Sequence, residues 1–130
     1  MNFSDCVEGH LTGISVDEES KGVDFSIRLQ AGRSVVLSAR GVTQLAVSEF
    51  REKNIIDRVN AWGHESKVSD FQHLLVELLT GQTDVAVDGA FSSLIERQLK
   101  AINAGETVLI EIEPVYGARV LMLAKSIALQ

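Results

Sequence analysis

The side chains able to do chemistry are few and scattered: His10, His64 and His73, the lone Cys6, and short sets of carboxylates. A metal site gathers histidine, cysteine and carboxylate ligands at short, fixed spacings, and no histidine stands at such a spacing from another histidine. Cys6 and His10 are close in sequence, but two ligands in what reads as an N-terminal tail do not make a zinc site. The favoured reading is ordinary surface or half-buried histidines. His73, beside Gln72 and near Glu77, reads as solvated. A nucleophilic thiol needs a positioned base and an oxyanion donor. Cys6 sits in a start that reads as flexible, so a surface or packing cysteine is the plainer reading. The serine motif G-x-S-x-G is absent, and Gly9 with Gly13 lacks the lysine of a phosphate loop. The sequence therefore points away from an enzyme and offers no cofactor or metal site.

The carboxylates need weighing one set at a time. Asp17, Glu18 and Glu19 could meet a basic partner or a hard cation, but calcium loops need alternating ligands, a glycine and a closing glutamate. A solvated turn is the plainer reading. Asp84 and Asp88 flank Val-Ala-Val in an expected loop, where Asp88 would serve as a helix cap. Glu111 and Glu113, two apart, could form an acid–base pair, although such a spacing is usually the wet face of a strand. Trp62-Gly63-His64-Glu65 is the most suggestive cluster, because aromatic residues dominate binding energy. A sole tryptophan in a small domain is still more often core. Tyr116, in the turn from Pro114 to Gly117, could bind or could fold down on the sheet. The candidate partner-binding set is thus Asp17, Glu18, Glu19, Trp62, His64, Glu65 and Tyr116.

The elements that must position these groups follow from apolar periodicity. Leu11, Ile14 and Val16 make a short apolar segment that Gly9 and Gly13 weaken as a strand or mark with a bulge. Val23, Phe25, Ile27 and Leu29 alternate with Asp24, Ser26, Arg28 and Gln30, the pattern of a half-buried antiparallel strand. Val35, Leu37 and Ala39 continue on one face. The stretch from Val42 to Phe50 fits a helical stripe as well as a strand, and the strand is preferred because its neighbours are strands. Val35 to Trp62 therefore reads as two or three consecutive antiparallel strands with a turn at Arg51 to Asn54.

The period then changes. Ser69 is a good N-cap for a helix whose stripe is Val68, Phe71, Leu74, Leu75, Leu78 and Leu79, and Gly81 is placed to end that helix. A second helix is expected from about Ala90 to Asn103, with Phe91, Leu94, Ile95, Leu99 and Ile102 inward. The chain ends in a hairpin around Pro114 to Gly117, with Arg119 to Leu129 as its last strand. The expected fold is α+β in a single domain: an antiparallel sheet of about six or seven strands, with two consecutive helices on one face inserted before a C-terminal hairpin. A second apolar face of Val36, Ile56, Leu109, Leu121 and Leu123 would need cover, so a homodimer is one expectation.

The totals agree with this picture. The chain has 130 residues and a net charge of −6, with 45% hydrophobic and 23% charged residues, which is ordinary globular composition. The acidic balance disfavours phosphate-backbone binding, so nucleic acid is not an expected partner, while a basic protein is. One cysteine allows no internal disulfide. The start MNFSDCVEGH has neither the basic nor the apolar region of a signal peptide, and no apolar run could span a membrane, so cytoplasm is the expected compartment.

Two stretches resemble a known group. GVTQLAVSEFREKNII, residues 41–56, resembles the pattern G-V-x-x-L-x-x-x-x-F-x-x-x-N-I-I of small bacterial proteins. IEIEPVYGARVLMLAKSIAL, residues 110–129, resembles their closing hairpin. Some of these proteins are similar to immunity proteins of polymorphic-toxin systems, which bind and neutralise a toxin. The resemblance implies a non-catalytic protein-binding role and carries over no active residue. Its pattern residues, Gly41, Val42, Leu45, Phe50, Asn54, Ile55 and Tyr116, read as folding positions. The alternatives are a small-molecule-binding domain or enzyme using the Trp62, His64 and Glu65 region, and a structural homo-oligomer subunit.

Overall fold

A computed structural model describes residues 2–81, 89 and 91–130. Its strands are β1 (His10–Asp17), β2 (Gly22–Arg28), β3 (Ser34–Arg40), β4 (Gln44–Ser48), β5 (Ile55–Trp62), β6 (Val108–Tyr116), β7 (Arg119–Ala124) and β8 (Ser126–Leu129). Between β5 and β6 lie α1 (Val68–Thr80) and α2 (Ser92–Asn103). The fold is α+β, with one antiparallel eight-stranded sheet in the order β4-β7-β6-β5-β1-β2-β3-β8. The stretch 42–50 contains a strand, as its neighbours suggested.

The two ends of that order are drawn together by the chain itself. β3 and β4 are separated only by Gly41 to Thr43, and β7 and β8 only by Lys125. Arg40 pairs with Ser126 and Gln44 with Leu123, while Lys125 N donates to Arg40 O at 2.9 Å and Thr43 N to Leu123 O at 3.0 Å. The sheet is therefore strongly curled. Gly41, at φ +68, takes a backbone conformation that few other residues adopt at this bend. Two expectations are corrected here. Arg119 to Leu129 is two strands, because Lys125 breaks the ladder. The strands of Val35 to Trp62 do not pair with one another, because β2 and β8 flank β3, β7 flanks β4, and β6 with β1 flanks β5.

Curling changes what each face meets. Leu11, Phe25, Ile27, Leu37, Ile56, Ile110, Ile112, Val120 and Met122 form one core inside the curl. Leu109, Leu121 and Leu123 point outward and are covered by Phe71, Leu75, Ile95 and Ile102 of the helices, with Trp62 at the edge of that cluster. The set expected to need a second copy is thus divided: Leu109, Leu121 and Leu123 lie under the helices and Ile56 lies in the inner core. Both sides of β6 and β7 are buried, which is why Val120 to Leu123 reads as an unbroken apolar run.

Local details refine three more expectations. α1 starts at Val68 after Lys67, so Ser69 lies within its first turn and makes no cap bond; Gly81, at φ +75, closes it. α2 starts at Ser92, with Phe91 at its N-cap and exposed. The N-terminus is not a flexible tail: Phe3–Cys6 is a 3-10 helix with an Asn2–Asp5 capping box, and Cys6 is fully buried in the inner core. Gly13 follows a register shift in the β1–β2 pairing, so the bulge reading holds. It keeps Leu11 and Ile14 on the same side although they are three apart. Asp84, Asp88 and the Val-Ala-Val between them lie outside the described residues.

Candidate functional site

The segment between β4 and β5 shapes the most chemically distinct surface. Glu49 leaves β4 with φ +59, a left-handed conformation that is costly for a residue with a Cβ. Arg51 then turns back: its guanidinium donates to Glu49 Oε2 at 2.7 Å and lies 5.5 Å from the centre of the Tyr116 ring. The Glu49 hydrogen bond, then the Tyr116 phenol, raise the Arg51 pKa.

Asn54 fastens this loop. Its side chain is 3% exposed as a residue and uses its full range of bonds. Oδ1 accepts from Arg51 N and from Ala118 N, both at 2.9 Å, while Nδ2 donates to Arg51 O at 2.8 Å and to Leu11 O at 3.3 Å. One amide thus ties the loop, the start of β1 and the β6–β7 turn. Gly117, at φ +87, is required beside it, since a Cβ there would lie 2.4 Å from Asn54 Oδ1.

A recess of about 550 Å³ opens beside this clamp, lined by His10, Leu11, Thr12, Arg28 and Phe50 to Asn54. Arg28 pairs with His10 across β1 and β2, and its Nη2 lies 3.4 Å from His10 Nδ1. Arginine has only donors, so Arg28 is the donor in that contact. Arg28, Arg51 and Lys53 line the recess with one carboxylate residue, Glu52, in a chain of net charge −6, while the Arg51 guanidinium is itself paired with Glu49. Phe50 is 49% exposed at the recess. Cations beside an exposed ring suit an anionic group attached to apolar matter.

The recess sits where β1 loses a neighbour. On its β5 side β1 pairs at His10–Ile55, flanked by Leu11 N to Asn54 O and Ile56 N to Gly9 O. From Thr12 to Asp17 no described strand lies on that side. Ile14 is opposite Phe25, and Val16 opposite Val23, whose side chains belong to the inner core. Directly opposite residues share a face. Val16 nevertheless stays 57% exposed, because nothing described covers that edge. A smaller recess of about 250 Å³, lined in part by Val16, Asp17, Glu18, Val42 and Leu45, lies at the far end of β1.

The residues expected from sequence are spread over several places. Trp62 packs against Phe71, ring centroids 6.4 Å apart, at the edge of the helix-covered core. His64 and Glu65 are exposed, with His64 Nε2 3.6 Å from Glu65 Oε1. Trp62 pairs with Leu109 and Tyr116 with Ile55, so these two stand at opposite ends of the β5–β6 pair. Asp17 shapes its turn, with Oδ1 accepting from Glu19 N at 3.1 Å and Ser20 N at 3.4 Å; hydrogen bonds from Ser20 are the main cause of its lowered pKa. Glu18 and Glu19 are exposed. Tyr116 is exposed under Arg51, the one member of the set beside the clamped loop.

Glu111 and Glu113 are not a free acid–base pair. Asn60 Nδ2 donates to Glu111 Oε1 at 3.2 Å and Glu113 Oε2 at 3.4 Å, and Arg119 bonds both Glu111 and Glu77. Burial opposes the Arg119 charge, yet Glu77 and then Glu111 raise its pKa overall, so this reads as a satisfied ion network beneath α1. Among the described residues no group of three or more His, Cys, Asp or Glu could hold a metal ion. No described helix is long and apolar enough to cross a membrane.

Sequence reasoning missed His10 and Arg28 as members of a site. The β1–β2 turn and the glycine bulge fix their pairing, so counting the register would have joined them. No local signal brings Arg51 to them, since the clamp depends on the distant Leu11 and Ala118. No family model matches the chain, and no curated protein or solved structure matches it.

Proposed function

We propose that this chain is a non-catalytic binding domain that engages another protein through the recess between β1 and the β4–β5 loop. One observation carries the reading: Arg28, Arg51, Lys53 and an exposed phenylalanine line a recess where a strand edge is left uncovered. Binding surfaces combine an aromatic anchor with charges that orient the partner. The resemblance to immunity proteins supports the same class, because its pattern residues Gly41 and Asn54 hold the bend and the clamp rather than chemistry.

The test is capture with the purified chain as bait, read by mass spectrometry, beside an Arg28→Glu/Arg51→Glu double variant. The expected result is a stoichiometric protein partner retained by the native chain and lost with the variant. Equal capture by both baits would remove the recess from the reading, and no partner at all would overturn it.

A further inference from the structure

We infer that the recess is one end of a strand-addition site: the free edge of β1 from Thr12 to Asp17 takes an extended peptide with an acidic C-terminal end and a basic N-terminal end. The inference rests on the protein-binding reading and names the partner's chemistry. Three observations carry it.

The first is the interrupted ladder. β5 begins at Ile55 and pairs with β1 only around His10, so β1 runs on past it with one row of backbone donors and acceptors unmatched by any described strand. A peptide laid along the line of β5 would take up that row, and added strands gain much of their affinity from such main-chain bonds. The second is exposure on the wrong face. Ile14 and Val16 point to the side of the inner core, yet Val16 is 57% exposed. Alternate apolar side chains of an added strand would cover both. The third is charge. Arg28, Arg51 and Lys53, with one carboxylate, Glu52, lie at the Thr12 end, whereas Asp17 and Glu18, with one cation, Lys21, lie at the other.

Charge and direction together fix the peptide's polarity. Every pairing in this sheet is antiparallel, so an added strand continuing that rule runs against β1. Its N-terminal end then lies by Asp17 and its C-terminal end by Arg28 and Arg51. Acidic side chains or a terminal carboxylate at that end meet guanidinium groups suited to bidentate bonding. The segment covered, Thr12 to Asp17, needs a peptide of about six to eight residues at about 3.4 Å each.

The experiment is selection from a displayed library of random peptides, each about ten residues long, against the intact chain. Native protein, Val16→Lys and Arg28→Glu/Arg51→Glu serve as separate baits. Val16 is largely exposed, so its lysine variant is expected to fold, which circular dichroism checks. The expected result is enrichment of alternating apolar and polar peptides, basic at the start and acidic at the end, lost with both variants. Acidic peptides without alternation that bind Val16→Lys as well as native protein would overturn strand addition while leaving the recess reading intact. Peptides that still bind the double variant would overturn the recess itself. No enrichment with native protein would overturn the inference. Free phosphate or a nucleotide competing fully with selected peptides, with no requirement for Val16, would assign the cations to a small anion and overturn it too.

Discussion

Replacing Asn54 with alanine is the sharpest perturbation of this fold, because one side chain joins three segments distant in sequence. Two of its four bonds serve Arg51, an exposed residue whose backbone groups can turn to water. These are worth little once rehydrated. The other two serve buried positions. Ala118 N–H, on a residue 3% exposed, loses its acceptor, and an unsatisfied buried donor costs about 1–3 kcal/mol. Leu11 O loses a longer bond of 3.3 Å, which adds about 0.5–1 kcal/mol. With the small void left behind, the expected loss is about 2–4 kcal/mol, a large part of the roughly 5–15 kcal/mol that holds a typical domain.

Urea unfolding of native protein and Asn54→Ala measures it, reading the shift in midpoint at unchanged slope. A loss below about 0.5 kcal/mol, the level of ordinary surface changes, would refute the clamp. A second variant guards against a trivial result. Gly117→Ala places a Cβ 2.4 Å from Asn54 Oδ1 at φ +87, so it is destabilising alone. Part of that cost is the clash with Asn54 Oδ1, which Asn54→Ala removes, and part is backbone strain and the approach to Lys53 O at 2.8 Å and Asn54 Cα at 2.9 Å, which it does not. The double variant should therefore be more stable than the sum of the single losses predicts, by about 0.5–3 kcal/mol. Strict additivity would mean that the two residues do not meet as described.

Two further outcomes follow from other sites. Asp24 has its pKa lowered, first by the hydrogen bond from Arg40 at 2.9 Å and then by Ser38, so its contribution is present above the ordinary carboxylate range and lost as pH falls through the lowered value. Asp24→Asn should flatten that acid limb of the stability curve and leave the neutral-to-alkaline limb parallel to native; an unchanged acid limb would refute the pairing. Cys6 is fully buried, and burial, then the charge of Asp5, raises its thiol pKa. Alkylation should thus be at least about tenfold slower in native than in urea-unfolded protein, and equal rates would mean that the N-terminal 3-10 helix does not hold against the core.

Much of the fold is legible because strand alternation survives almost any tertiary setting. Val23, Phe25 and Ile27 announced the inner face of β2, and Gly81 announced the end of α1. What alternation cannot state is what stands opposite. Leu109 and Glu111 share a face of β6, yet one lies under the helices and the other in an ion network. The apolar set Ile56, Leu109, Leu121 and Leu123 reads as one uncovered face because the sequence shows neither the curl of the sheet nor which strands α1 crosses. Trp62 was read as a binding candidate for a related reason, since a lone aromatic at a strand end looks the same whether a helix packs on it or not.

The candidate site was legible only in pieces, and the missing piece was a boundary. Thr12 to Asp17 is an ordinary short strand by composition. It becomes an exposed edge because β5 begins at Ile55 instead of several residues earlier. That start is imposed by the preceding loop: Asn54 bonds back to Arg51 and across to Leu11 and Ala118, which turns the chain away from β1 at that point. The same bonds carry Arg51 to the recess and place Phe50 at its rim. If strand addition holds, stability and recognition are coupled at one residue, and loosening the clamp should disturb peptide selection as well as unfolding. Val16→Lys, which leaves every one of those bonds in place, separates the two: it should weaken binding with little change in stability.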